Sequence, residues 1–389
     1  MSSSVTSSLT ATLESELESL RAADLERSLR VVRRVHGAEV EIDGSRAIDF
    51  SSNDYLGLAT DSRLAAAAEQ AIREHGLGSG ASRLISGNSP EHEALERALA
   101  DFFDAERALS FSTGYAANVG TIAALAGRGD VIFSDALNHA SLIDGCRLSR
   151  ATVHVYPHGD TRALRALLAS HRATARRALI VSDGMFSMDG DIAPLPEIVS
   201  LARGFDAWTY VDDAHAAGVL GHNGRGTPEL LGVESEIDVL VGTLGKAFGA
   251  AGAYVLGSAT LRQYLINRAR SFVFSTGPMP AQAAAARTAI EIVQNEPELR
   301  QRVNENARQL RSALNAGDGD AHIISVRVGD AAATVRLGAT LMEHGFLVGA
   351  VRPPTVPDGT SRLRISVSAA HTPDQIERFA DTFAAIARQ

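Results

Sequence analysis

The sequence predicts an α/β protein, with a mostly parallel seven-stranded sheet in a large domain and a smaller α+β C-terminal domain. Three observations carry this expectation. Between residues 51 and 279, seven short β-rich runs alternate with Ala/Leu-rich stretches of helical character. Those runs are almost continuously apolar, as strands are when helices cover both faces of a parallel sheet. The stretch GPMPAQ at 277–282 then punctuates the chain, and a different rhythm of elements follows it.

Residues 1 to about 8 are rich in Ser and Thr and are expected to be disordered. From Leu9 to Arg34, Leu13, Leu17, Leu20, Leu25 and Leu29 recur at roughly helical spacing among charges, which predicts an amphipathic helix. EVEIDGSRAIDF then predicts a hairpin turning at Asp43 and Gly44, completing an N-terminal segment over 1–50. In the large domain, 51–279, the strand candidates are 108–113, 130–135, 152–157, 178–183, 207–212, 238–243 and 251–257. Little more than GKAFG separates the last two, too little for a parallel crossover, so that pair is expected to be antiparallel. The C-terminal domain, 280–389, opens with a long helical region over 281–314, followed by the strand candidates IISVRVG, FLVGAV and RLRISVSA.

The bulk composition narrows the function classes. With 389 residues, 45% hydrophobic and 21% charged, the chain has the make-up of a soluble globular protein. No apolar run approaches the ~20 residues of a membrane span. A formal charge of −9 argues against a surface for duplex nucleic acid. The lone Cys146 forms no internal disulfide, and the N-terminus lacks a basic region followed by an apolar core, which points to the cytoplasm.

Ligands of open α/β sheets bind beyond the carboxyl ends of the strands, so the polar residues there matter most. That rim gathers Ser112, Thr113, Gly114, Tyr115, Asp135, His139, Ser182, Asp183, Ser187, Asp212, His215, Thr243 and Lys246. STGYAAN offers backbone N–H groups at a helix start, suited to a phosphate, although such glycine turns are common without one. Asp212 could hold a protonated heterocyclic nitrogen or merely cap a helix, and His139 could stack on a cofactor or cap the next helix. No third ligand of the HxE or CxxC type accompanies Asp212 and His215, which argues against zinc.

Lys246 is the only lysine: of 37 Lys plus Arg, 36 are arginine. GC-rich coding accounts for the bias but not for the surviving lysine. A partly desolvated lysine can lower its pKa and form a Schiff base with a carbonyl, which a guanidinium cannot do.

SSNDYLGL, STGYAAN, NHASLIDG, FSMDGDIAPL, VDDAHAAGVLG, TLGKAFG, FSTGPMP and RPPTVPDGTSRLRISVSAAHT occur in this order and closely resemble the α-oxoamine synthases. These are fold-type I transferases dependent on pyridoxal 5′-phosphate (PLP), and the resemblance runs from about residue 21 to the end. It implies that Lys246 holds PLP covalently, Asp212 partners the ring nitrogen, His215 bonds the phenolic oxygen, His139 stacks over the ring and Ser187 sits near it. Lys246, His139, Asp212 and His215 are thereby the implied catalytic set. Gly114, Tyr115 and Thr243 would hold the phosphate, joined by Ser275 and Thr276 from the second subunit of a homodimer. Asn53 and Arg364 resemble the residues that bind the amino acid carboxylate, and Thr355 a substrate-binding threonine. Arg27 aligns best with an arginine that meets an acyl carboxylate, with Arg21 and Arg30 close by.

RPPTVPDGT and RAADLERSLR are most similar to the branch that condenses L-alanine with pimeloyl-CoA or a pimeloyl carrier protein, releasing CO2. The alternative within the family is a glycine C-acetyltransferase. From a different class, a catalytically silent effector-binding domain of this fold would have lost Lys246 or Asp212, and both are present.

Overall fold

The computed structural model describes residues 8–317 and 321–386. The Ser/Thr-rich start expected to be disordered lies, over 1–7, outside the described residues. Near the N-terminus come β1 (Val32–His36), β2 (Glu39–Ile42) and β3 (Ser45–Asp49). The β2–β3 hairpin turns at Asp43 and Gly44, both at positive φ (50° and 80°), the backbone twist that a two-residue hairpin favours.

The predicted N-terminal helix is shorter than expected. It spans Ser8–Ala22 and buries none of its residues. Asp24 takes a left-handed conformation (φ 55°), and Leu25 N–H bonds back to the Leu20 carbonyl at 2.8 Å, a helix-ending loop that tertiary packing does not override. The last residues of the expected helix, from Val32 on, are instead strand β1, whose own side chains are exposed.

The central sheet comprises β4 (Arg107–Phe111), β5 (Val131–Asp135), β6 (Thr152–Tyr156), β7 (Ala178–Asp183), β8 (Trp208–Asp212), β9 (Val239–Thr243) and β10 (Ala253–Gly257). Its order is β4-β10-β9-β8-β7-β5-β6. Only β10 runs against its neighbours, as the short GKAFG connection requires. Every residue of β5 and β7 is buried, whereas edge strand β6 is not. Successive side chains leave opposite faces. Accordingly Ile132, Leu179 and Tyr210 join one apolar core while Phe133, Ile180 and Val211 join another.

The remaining strands are β11 (Ile323–Gly329), β12 (Phe346–Leu347), β13 (Gly349–Val351) and β14 (Ser361–Ser366). FLVGAV, expected as one strand, divides: β13 joins a sheet ordered β11-β14-β13, whereas β12 pairs in parallel with β3. The hairpin and the C-terminal region thus share one core, in which Ile48 and Phe50 meet Leu310, Phe346 and Phe379. The long helical region also divides, into Pro280–Asn295 and Glu298–Leu314, at a proline that cannot donate a helical hydrogen bond. The first of these helices packs on helices Ser62–His75 and Pro90–Phe102. Among the described residues no helix is long and apolar enough to cross a membrane.

Candidate active site

Asp183, Asp212 and Thr243 are the last residues of β7, β8 and β9, so the parallel sheet sets them side by side along one edge. A cavity of about 780 Å³, lined by Trp208, Tyr264 and Arg225 among others, contains none of them and lies at the opposite ends of β8 and β9. The chemistry-bearing side chains therefore define the site, and the cavity does not.

Lys246 Nζ lies 2.8 Å from Nε2 of His215, whose Nδ1 lies 2.7 Å from the Tyr55 hydroxyl. Burial lowers the lysine to about 8, against the opposing pull of Asp212 and Asp183. Burial likewise drives His215 well below its ordinary value, helped by the charges of Lys246 and Arg364. The result is a neutral imidazole against an amine that can be neutral in mildly basic solution.

Asp212 is almost fully buried. Asn118 Nδ2 donates to its carboxylate at 2.6 Å and the Ala214 N–H donates at 3.0 Å. Tyr210 donates to the Asn118 carbonyl oxygen at 2.8 Å, which fixes the orientation of that amide. Its neighbour Asp213 turns away, bonded by Thr227 through N–H (2.8 Å) and hydroxyl (2.6 Å), and burial raises it to about 7. A Cβ at Gly226 would stand 1.7 Å from Asp213 Oδ2, so only glycine admits this packing.

His139 caps helix Ala140–Ser149, with Nδ1 2.7 Å from the Ser141 hydroxyl. Its N–H donates at 2.7 Å to Asp183, a carboxyl that burial and the nearby Asp212 charge push well up. Burial and Lys246 lower the His139 ring's own pKa despite Asp212.

Arg364 forms the other wall. Its Nε donates to the Ser187 carbonyl (2.5 Å), and Nη2 donates to Asn53 Oδ1 (3.2 Å) and the Tyr55 hydroxyl (3.3 Å). Lys246, His215, Asn53, Arg364 and Ser187 are thus one connected group. Gly114 begins helix Gly114–Leu125, which Thr113 caps, while the Tyr115 hydroxyl donates to Asp144 at 2.5 Å. The Thr243 hydroxyl already donates to the Gly252 carbonyl at 3.0 Å.

Ser275 and Thr276 line a small cleft of the same chain with Arg83 and Ser112. Buried Glu96 braces this region: it accepts from Arg83, from Arg262 (2.7 Å), and from the Ser110 N–H and hydroxyl (both 2.8 Å). Arg27 and Thr355 are exposed, and among the described residues neither has a hydrogen bond to the Lys246 group. Arg27 instead reaches the segment carrying Thr355, donating to the Pro353 carbonyl at 3.1 Å. Sequence reasoning did not single out Tyr55 or Asn118. Asn118 lies one helical turn beyond Gly114, the spacing that returns a side chain to the same face, and this was the available signal.

The donor set fits PLP. Among the described residues no cationic side chain lies within ion-pair distance of Asp212, which meets only neutral N–H groups, as a carboxylate awaiting a protonated ring nitrogen would.

An α/β sheet with a depressed lysine and a buried aspartate on its carboxyl edge defines a transferase of the aminotransferase type. The chain belongs to the aminotransferase class I and II family, whose model matches residues 45–383. Over 389 residues it is 49% identical to the 8-amino-7-oxononanoate synthase of Geobacter sulfurreducens, covering 98% of this chain and 99% of that one. Its fold matches a serine palmitoyltransferase from S. paucimobilis with bound PLP–myriocin aldimine, at a TM-score of 0.92, 33% identity and 97% coverage of each chain. It also matches the 8-amino-7-oxononanoate synthase of Francisella tularensis, at a TM-score of 0.76 and 29% identity over 88% of this chain and 98% of that one.

Proposed function

We propose that this chain is a PLP-dependent 8-amino-7-oxononanoate synthase. It joins L-alanine to a pimeloyl thioester and releases CO2 and the free thiol, a step of biotin biosynthesis. The 49% identity to the Geobacter sulfurreducens enzyme over nearly the whole of both chains carries this reading.

PLP, when bound, supplies an electron sink for the bond broken at the Cα of the amino acid. Lys246 would hold it, and Asp212 would keep its ring nitrogen protonated. His215 and Ser187 would meet its phenolic side, and His139 its ring. The start of helix Gly114–Leu125, with Tyr115, and Thr243 would meet the phosphate, for which Thr243 must release Gly252. Arg364, with Asn53, offers a substrate carboxylate a planar pair of donors and thereby orients the Cα–H bond. With its pKa about 8, Lys246 can take up and return a proton near neutrality. His139 would donate toward an oxyanion developing on the thioester carbonyl.

A homodimer with shared sites accounts for two features. Leu9, Leu13, Leu17 and Leu20 lie exposed on helix Ser8–Ala22, none of whose residues is buried among the described ones. Thr276, exposed, and half-buried Ser275 beside it would reach the partner's phosphate. Arg27, beside Pro353 and Thr355, would meet the pimeloyl carboxylate. The acyl donor is pimeloyl-CoA or a pimeloyl carrier protein, and the compartment is the cytoplasm.

The test is a panel of amino acids and thioesters on purified protein, with Lys246→Ala as control. L-Alanine with a pimeloyl thioester is expected to be the fastest pair. Faster turnover of glycine with acetyl-CoA would make the chain a glycine C-acetyltransferase.

A further inference from the structure

The hydroxyl of Tyr55 joins two parts of the site that the family reading treats separately, the carboxylate-binding pair and the lysine. It lies 2.7 Å from His215 Nδ1, 3.0 Å from Asn53 Oδ1 and 3.3 Å from Arg364 Nη2. The residue is wholly buried, and His322 packs edge-on against its ring at 4.1 Å. Three polar neighbours surround this buried hydroxyl, so each must be assigned a role.

Arginine has donors only, so Arg364 donates to the phenol oxygen and also fixes the Asn53 oxygen toward itself. The single phenolic proton then goes either to His215 Nδ1 or to Asn53 Oδ1. His215, being neutral, carries one N–H. If Tyr55 donates to Nδ1, the imidazole proton sits on Nε2 and points at Lys246, which must accept it with the lone pair of a free amine. If Tyr55 donates to Asn53, Nδ1–H points back at the phenol and Nε2 accepts from a lysine ammonium. An Nε2–H facing an ammonium at 2.8 Å would set donor against donor. The direction of one buried hydroxyl is therefore tied to the charge of Lys246.

Two observations favour donation to the histidine. The contact to Nδ1 is the shorter, and Asn53 Oδ1 already accepts from Arg364 at 3.2 Å. Donation from Arg364 into the phenol oxygen also strengthens the phenol as a donor, because linked hydrogen bonds polarise one another. We infer that Tyr55 is a positioning residue that fixes His215 as an Nε2–H donor toward Lys246 and so favours the free amine. Other groups bear on the same lysine: Asp212 and Asp183 favour its charged form, and Arg364 opposes it. Burial above all, then the charges of Lys246 and Arg364, keep His215 neutral. Tyr55→Phe leaves all of them in place and removes only the hydroxyl. As a statement about the synthase this rests on the function proposed above, but its test needs no substrate.

Lys246 is the only lysine, so [13Cε]lysine in the full-length chain gives a single side-chain resonance. In the cofactor-free protein its titration midpoint is expected near 8, and Tyr55→Phe is expected to raise that midpoint by about one pH unit, roughly a tenfold loss of free amine. Should Tyr55→Phe not fold, 15N NMR of labelled histidine in the cofactor-free full-length protein, at a pH above the lysine midpoint near 8, decides alone, with His215 assigned by its loss in His215→Gln. It is expected to show Nε2 protonated. A midpoint unchanged or lowered in folded Tyr55→Phe, or an Nδ1–H tautomer in the unsubstituted protein, overturns the inference. Failure of the synthase assay would count against the proposed function and leave the inference about Tyr55 standing.

Discussion

Asn118 donates to the Asp212 carboxylate across 2.6 Å, and its own carbonyl is held by Tyr210 at 2.8 Å. The aspartate is thereby aimed by neutral groups alone, and its charge stays available to a ligand. Asn118→Ala leaves buried Asp212 and Tyr210 each short of a partner, which costs roughly 1–3 kcal/mol. Denaturant unfolding should show that loss, and PLP titration should show weaker binding. Unchanged PLP affinity would mean that Asp212 needs no such support.

Lys246 makes stability depend on pH in a defined direction. Its folded pKa, about 8, lies below the ordinary 10.5, so between those values the unfolded chain holds more protons than the folded one. Stability of the cofactor-free protein therefore rises with pH through that window, and the cost of burying the cation is fully present below it. The cost is at most about 3 kcal/mol, less where water reaches the half-buried side chain. Lys246→Met should melt higher than the unsubstituted protein below pH 8, and the gap should close toward pH 10.5. A gap constant with pH would place the lysine in a solvated setting.

Glu96 gives the opposite limb. Burial pushes its carboxyl up, but Arg83, Ser110 and Arg262 more than offset this and hold it below the ordinary 4.5. Its contribution is therefore present above pH 4.5 and lost as pH falls through the lower folded value. Glu96→Gln takes the buried carboxylate from two arginines, which keep only longer contacts to Glu93 at 3.7 and 3.5 Å, and should cost roughly 1–3 kcal/mol. Melting curves against pH should also lose part of their acid limb. The same variant should weaken PLP binding if Ser275 and Thr276 depend on the brace.

Arg27 reaches Pro353 from a segment 326 residues away in sequence. If it meets the acyl carboxylate, Arg27→Ala removes a charge-assisted bond worth about 1.5–3 kcal/mol, and KM for pimeloyl-CoA should rise roughly 10- to 100-fold. KM for L-alanine and the affinity for PLP should stay unchanged. Arg21→Ala and Arg30→Ala are the comparison, and a larger effect at either would move the assignment to that residue.

Much of the fold was legible because the seven central runs are bounded by punctuation and are apolar throughout. The antiparallel β9–β10 pair followed from connection length alone. The helix end at Ala22 was not legible, because leucine spacing continues through Leu25 and Leu29 while Asp24 turns the backbone left-handed. Nor was the split of FLVGAV, since the pairing of β12 with β3 joins segments about 300 residues apart that no local pattern connects. At the site, Lys246 was exposed by its rarity and Asp212 and His215 by their place after a strand. Tyr55 and Asn118 were hidden because their roles arise from contacts with His215 and Asp212, 160 and 94 residues away.

The most direct measurement follows the carboxyl carbon of the amino acid. With [1-13C]L-alanine and pimeloyl-CoA, the PLP-loaded protein should release one labelled CO2 for each free thiol and leave 8-amino-7-oxononanoate without label. Label retained in the product, or no thiol released with this pair while glycine and acetyl-CoA react, would contradict the proposed synthase.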